Sequence, residues 1–361
     1  MEILHIITSL GTGGAEVLLK DLVLIFAQKR NNVSILVFMR VDGFLATLIT
    51  HRGVNITYAP ANKKISLRNL FFLWKYLRKN RPNVVHTHLT WDAYALAIVG
   101  CFLNYKPVFI TTEHSTVKRR RENILIRLFN LERWMYSKYR KIICISHEVF
   151  YAFLSQLPSL RSKCILISNG VNLEKFAAEY LPEKRLQRPV IMNIGKLCKH
   201  KQQAVLIRAM TKLPSIVELW LVGGGSDRYE LEQLARKCGV NERVRFLGLC
   251  VDIASLIKEA TIYVQASLYE GLSIAMLEAL ASGLPIVGSN VPGTRELIDS
   301  VGEFFEAGDW EGLATILENL LSDHEKLQQM SNASKNKALK FSIEETAASY
   351  LQMYSCEIKE S

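Results

Sequence analysis

Two periods alternate along this chain. Short runs of consecutive apolar, often β-branched residues are followed by longer stretches in which apolar positions recur every three or four residues, and the pair repeats from end to end. In the first half the short runs read EILHIIT, NNVSILVF, NVVHTH, PVFITTE, KIICIS and CILIS; in the second half they read PVIMNIG, VELWLVG, VRFLG, IYVQAS and LPIVGS. Near-continuous apolar strands alternating with helices predict an α/β fold with parallel sheets covered on both faces. With 361 residues, each half is long enough for its own doubly wound sheet. The charged, proline-bearing stretch FAAEYLPEKRLQRP predicts a linker over 176–189, between a first domain at 1–175 and a second at 190–341. Ser342, three residues before Glu345, has the capping-box spacing and opens a helical run, so 342–361 is expected to be a terminal helix. Ligands of open parallel sheets bind outside the carboxyl ends of the strands, and two such sheets facing each other are expected to form a cleft.

Composition narrows the function classes. The N-terminal MEILHIITSLGTGG has no basic leader and passes from an apolar run to glycines, which reads as a first strand and not a signal peptide. The apolar run AYALAIVGCFL is about half of the ~20 residues a spanning helix needs, so the chain is expected to be soluble or peripheral. Seven cysteines, without a C-x-x-C pair, give neither a disulfide framework nor a zinc site and suit a reducing cytosol. The net charge of +11 is uneven: residues 1–180 carry 25 Lys+Arg against 11 Asp+Glu, whereas 181–361 carry 20 against 23. An anionic partner for the first half follows.

Candidate chemistry sits where predicted strands end. Glycine-rich turns follow two of them, with Gly11, Gly13 and Gly14 in TSLGTGGAE and Gly223, Gly224 and Gly225 in LVGGGSD. Neither is a G-x-G-x-x-G, and no G-x-x-x-x-G-K-[ST] occurs; the turns fit either an anion at a helix N-terminus or a plain strand-to-helix turn. Lys196 and Lys201 in NIGKLCKHKQ suit a diphosphate or a solvated face. Within SLYEGLSIAMLEALASGLPIVGS, Glu278 is the only charged residue from Gly271 through Thr294, and Glu270 stands just before it. A carboxylate on an otherwise apolar helix calls for a hydrogen-bonding partner. With a helix expected from Leu272, the backbone N–H groups of Gly271, Leu272 and Ser273 are placed to face a phosphate or sugar, and the two carboxylates to grip a polyhydroxylated ligand. The alternatives are a capping box from Ser267 to Glu270 and a Glu278 that ties down a loop.

These residues carry a resemblance. Over essentially its whole length the chain resembles the retaining, two-Rossmann (GT-B) glycosyltransferases of glycosyltransferase family 4. Glu270 to Glu278 look like the family's E-x7-E signature, and GGAE, VVHTH, TTEHS, SNGV, GKLCKHK, VGGG and the F-S-x-E of the terminal helix fall in the family's order. The resemblance implies Gly13 and Gly14 beside the donor diphosphate and acceptor, and His114 near the donor sugar. Lys196 and Lys201 would lie on the diphosphate, Glu270 at the donor sugar and Glu278 on the ribose hydroxyls. Glu270, His114 and Lys201 would then be the catalytic residues, and Gly13, Gly14, Lys196, Lys201, Gly271, Leu272, Ser273 and Glu278 the donor-binding ones. Lys196 departs from the family, which usually has arginine there, so the bidentate grip is lost. It further implies a UDP- or GDP-linked sugar as co-substrate, no cofactor, and hexosyl or N-acetylhexosaminyl transfer in capsule, exopolysaccharide or lipopolysaccharide synthesis. The terminal helix is expected to return toward the first domain.

No Asp-x-Asp occurs, so a metal-bound diphosphate is not indicated; His86 and His88 form an H-x-H that reads as strand-end structure. The basic, aromatic segments TVKRRRENILIRLFNLERWMYSKYRK and LRNLFFLWKYLRKNRP suit anionic lipid headgroups and a lipid-linked saccharide acceptor, or are ordinary amphipathic helices. The first of them contributes Lys118, Arg119, Arg120, Arg121, Leu128, Phe129, Trp134 and Tyr139. A cytoplasmic enzyme, peripheral on the membrane's cytoplasmic face, is the expectation. Two other classes fit parts of the pattern: a nucleotide-sugar epimerase on the same double fold, and a basic nucleic-acid-binding protein, for which no recognition motif is present.

Overall fold

The computed structural model describes residues 1–41, 44–64, 66–116 and 129–360. Lys118, Arg119, Arg120, Arg121 and Leu128 lie outside the described residues, as does the side chain of Phe129. The chain divides into two compact units, one of Met1–Asn169 with Ile343–Ser361, the other of Gly170–Ser342.

Among the described residues, the first unit holds a sheet of β1 (Glu2–Ile7), β2 (Asn32–Val37), β3 (Asn55–Tyr58), β4 (Val84–Thr87), β5 (Val108–Glu113), β6 (Lys141–Cys144) and β7 (Cys164–Leu166). The strands are parallel and ordered β3-β2-β1-β4-β5-β6-β7. Ile3, Leu4, Ile6 and Ile7 of β1 are at most 1% exposed, as a strand covered by helices on both faces must be. Each such side chain contributes roughly 1.5–3 kcal/mol by leaving water. The C-terminal helix Ile343–Lys359 packs on the helix Gly14–Gln28 and on β5 of this unit, burying Tyr350 and Tyr354.

The second unit holds β8 (Val190–Ile194), β9 (Glu218–Val222), β10 (Val244–Gly248), β11 (Ile262–Gln265), β12 (Ile286–Ser289) and β13 (Glu303–Phe305). These too are parallel, in the order β10-β9-β8-β11-β12-β13. Both sheets reverse their winding once, between β1 and β4 in the first and between β8 and β11 in the second. At such a switch point the loops leaving adjacent strands diverge and open a crevice.

The segment expected to be a linker, 176–189, belongs instead to the second unit. Phe176 and Tyr180 are buried, the Tyr180 hydroxyl donates to the Thr261 carbonyl at 3.0 Å, and the buried Arg185 guanidinium donates to the Ala260 carbonyl while lying 4.6 Å from the Tyr180 ring. Charge and proline suggest exposure, but the arginine donates to backbone carbonyls, that of Ala260 leading into β11 and that of Glu179 in the segment itself. The boundary therefore falls at Asn169/Gly170, ahead of 175. The strands β3 and β13, absent from the sequence expectation, are short edge strands whose half-exposed residues leave no apolar run.

Candidate functional site

In the second unit the loops leaving β8 and β11 bring together side chains 69 positions apart: Lys201 Nζ lies 2.5 Å from Glu270 Oε1. The Glu270 carboxylate also accepts from Gln265 Nε2 at 2.8 Å and Ser267 Oγ at 2.5 Å. Gln265 is itself oriented, because its Oε1 accepts from the Tyr263 hydroxyl at 2.7 Å. Burial first, and then the negative charges of Glu270 and Glu278, raise the Tyr263 hydroxyl well above the usual phenol range, so it stays protonated and donates. Tyr263 thus feels both carboxylates of the E-x7-E pair. The capping-box alternative for Ser267 and Glu270 fails, since Ser267 bonds the Glu270 side chain and helix formation begins only at Ile274.

The helix start differs from expectation. It spans Ile274–Ala281, capped by Ser273, whose hydroxyl accepts from the Met276 N–H at 3.3 Å. Gly271 and Leu272 therefore belong to the turn before the helix. Glu278 is buried within it, 8% exposed. The turn is pinned by the Leu268 N–H to the His200 carbonyl at 2.8 Å and by the Ser289 hydroxyl to the Ser267 carbonyl at 2.6 Å. Gly293 backs it: a Cβ there would lie 2.3 Å from the Glu270 carbonyl oxygen.

Lys196 is exposed, while Lys201 is largely covered, 15% exposed in its side chain. The Lys196 backbone carbonyl accepts from Gln203 Nε2 at 3.0 Å, fixing the loop between the two lysines. The second glycine turn has a packing function the sequence did not disclose. Cβ atoms on Gly223 and Gly225 would lie 2.1 Å from the carbonyl oxygens of Gly195 and Leu197, so the β8 and β9 loops touch backbone to backbone. Gly224 alone in that turn has room for a methyl group, which would meet Leu249 at an ordinary 3.7 Å.

In the first unit Gly13 and Gly14 follow β1, at the β1–β4 switch point. Gly13 caps the helix Gly14–Gln28, and a Cβ on it would lie 2.5 Å from Glu16 Oε2, so a carboxylate of the chain itself already covers this turn. Asp92, missed in the sequence, accepts from the Thr8 N–H at 3.0 Å and hydroxyl at 2.7 Å, and burial pushes its carboxyl well above the carboxylate range. His114 follows β5; burial lowers it to about 4, leaving a neutral imidazole whose Nε2 has no hydrogen-bond partner among the described residues.

His86 and His88 are joined by His5, opposite His86 in the β1–β4 register. The three present nitrogens within 4.8 Å of one another. Both His86 nitrogens are engaged, by the Tyr354 hydroxyl and by Thr112 Oγ1 at 2.7 Å, and His5 Nδ1 lies 2.9 Å from His88 Nε2. Burial holds all three well below the usual imidazole range, with His5 at about 3.

The family model described as Glycosyltransferase Family 4 matches residues 12–175, and the one described as Glycosyl transferases group 1 matches residues 180–337. The chain belongs to glycosyltransferase family 4.

This family 4 glycosyltransferase is 25% identical over 355 residues to the N-acetylgalactosamine-N,N'-diacetylbacillosaminyl-diphospho-undecaprenol 4-alpha-N-acetylgalactosaminyltransferase of Campylobacter jejuni, covering 93% of this chain and 94% of that one. It is 31% identical over 168 residues to the lipopolysaccharide core biosynthesis glycosyltransferase LpsE of Rhizobium meliloti, a match spanning 46% of this chain and about half (49%) of that relative. Among solved structures, Anabaena HepE in complex with UDP-glucose superposes with a TM-score of 0.86 at 19% identity, covering 99% of this chain and all of the other. The likeness fixes the two-domain GT-B fold of this glycosyltransferase.

Proposed function

We propose that the chain transfers a sugar, with retention of anomeric configuration and without a metal, from a UDP- or GDP-linked donor to a saccharide or lipid-linked saccharide in cell-surface polysaccharide synthesis. The carrying observation is the Lys201–Glu270 contact at the β8–β11 switch point, with Glu278 buried in the helix that follows and Tyr263 influenced by both carboxylates. Lys196 and Lys201 neutralise the diphosphate, where a compact ammonium suits phosphate oxygens. The backbone N–H groups of Gly271, Leu272 and Ser273 add fixed dipoles to the departing charge. Glu270 meets the donor sugar and Glu278 the ribose diol, since a carboxylate accepts from two adjacent hydroxyls at once. The departing phosphate oxygen takes the acceptor's proton. The first unit takes the acceptor, with Gly13 and Gly14 at the exit of β1 beside the diphosphate and acceptor, and His114 at the exit of β5 acts near the donor sugar. The Anabaena neighbour's bound UDP-glucose and the Campylobacter relative's undecaprenol-linked acceptor support this reading.

Thermal shift against UDP, GDP, ADP and their sugar conjugates tests it. One nucleotide raises Tm in the native chain and not in Glu278→Ala, and in steady-state assays that variant raises the donor KM more than it lowers kcat. No stabilisation by any nucleotide, or a sugar rearranged with no acceptor present, overturns the transferase reading in favour of another class.

A further inference from the structure

Successive residues of the loop after β11, Leu268, Tyr269 and Glu270, each make a contact that closes it on the loop after β8. The Leu268 N–H donates to the His200 carbonyl at 2.8 Å, the Tyr269 ring lies against the His200 imidazole, and Glu270 receives Lys201. The ring contact is a stack, with centroids 5.2 Å apart and planes inclined by only 11°. Both residues are half-buried. The imidazole has a second neighbour within its own loop: His200 Nδ1 lies 3.2 Å from Cys198 Sγ, and that thiol donates to the Lys196 carbonyl at 3.3 Å. The stack is thereby linked to both lysines, to Lys201 as its chain neighbour and to Lys196 through Cys198.

These contacts differ in what a donor does to them. In the reading above, Lys201 neutralises the diphosphate and Glu270 meets the sugar, so the donor competes with their ion pair. Once those charges are engaged by the donor, the pair no longer keeps the two loops in register. A ring stack holds by dispersion and by the alignment of ring faces, for which phosphate oxygens and sugar hydroxyls do not compete. The Leu268–His200 backbone bond is a single point about which the loops could pivot, and the stack beside it removes that freedom.

We infer that His200 and Tyr269 are positioning residues: their stack holds the span between Lys201 and Glu270 while a donor occupies the site, without either ring touching the reacting atoms. The inference rests on the donor reading for its purpose, so one measurement is made without donor. In steady-state transfer assays Tyr269→Ala lowers kcat about thirtyfold and raises the donor KM less than about threefold, because the altered span is felt in the transition state more than in nucleotide binding. Tyr269→Phe stays within about twofold of native, since it keeps the ring face and loses only the hydroxyl. His200→Ala matches Tyr269→Ala, and the double variant is no slower than the worse single one. Without donor, Lys201→Met lowers Tm at least about twice as far in the native chain as in Tyr269→Ala, where the ion pair is already loosened.

A Tyr269→Phe enzyme as slow as Tyr269→Ala, or losses that multiply in the double variant, overturn the inference. So does a native kcat in Tyr269→Ala; a donor KM raised about tenfold beside it would make the rings a direct donor contact. Equal Tm losses from Lys201→Met in the two backgrounds overturn it whether or not the chain transfers sugar. Unequal losses in a chain that no nucleotide stabilises support the stack's hold on the ion pair and overturn the donor reading alone.

Discussion

Glu270 is held from three sides, by Lys201 Nζ at 2.5 Å, Ser267 Oγ at 2.5 Å and Gln265 Nε2 at 2.8 Å, and both members of the ion pair are mostly covered, with 15% and 11% of their side chains exposed. An ion pair this sheltered is costly to break from one side, since the remaining charge stays buried without its counterion. Lys201→Met is expected to lower the unfolding free energy by about 3 kcal/mol in urea titrations at neutral pH, with Glu270→Gln added to it restoring much of the loss. Additive losses in the double variant would show that the two side chains do not act as a unit.

Gly293 approaches the turn that carries Glu270 so closely that a methyl group would press on backbone, which cannot rotate aside as a side chain can. Gly293→Ala should displace the Glu270–Gly271 turn, lowering kcat at saturating donor about a hundredfold, because a shift near one ångström misaligns reacting groups. Its stability cost is expected at about 1–3 kcal/mol. Gly224→Ala is the control, with only Leu249 3.7 Å away, and should leave both quantities near native. A Gly293→Ala enzyme of native kcat would remove this turn from the site.

Four buried imidazoles give the first unit a pH dependence with a definite sign. His5, His86, His88 and His114 are all pushed below the usual value of 6.5 by burial, His114 to about 4 and His5 to about 3. The unfolded chain therefore binds protons that the folded one refuses, and stability falls as pH drops below 6.5. Between pH 7.5 and 5.5 each such histidine lowers the unfolding free energy by about 1.4 kcal/mol. Asp92 opposes them, since its raised value favours the folded state as pH falls. His5→Gln should flatten the drop by one histidine's share, read from urea denaturation at the two pH values; an unchanged slope would mean that His5 titrates normally when folded.

Much of the fold was legible because a parallel strand buried on both faces must be apolar at consecutive positions. Eleven strands announced themselves as apolar runs, the edge strands β7 and β10 among them, and the short edge strands β3 (NITY) and β13 (EFF), in which polar residues break the pattern, did not. Segment 176–189 misled for the converse reason: Arg185 is charged yet buried, because the Ala260 carbonyl before β11 and the Glu179 carbonyl of the segment itself accept its donors. At the site, the carboxylates and lysines stood out as charges at strand ends. Gln265 carried a weaker signal, a lone amide in an apolar strand, while nothing marked Gly293 among the other glycines.

The sequence by itself determined the α/β alternation, the order of the motifs and the identities of the charged groups, because these follow from periodicity and chemistry within short windows. Only the tertiary structure decided which groups meet. Lys201 reaches Glu270 because β8 pairs with β11 across the winding switch, and Gly293 supports the same turn because the helix after β12 packs behind it. Strand order is set by packing among residues tens of positions apart, and no local pattern of apolar and polar residues encodes which parallel neighbour a buried strand will choose.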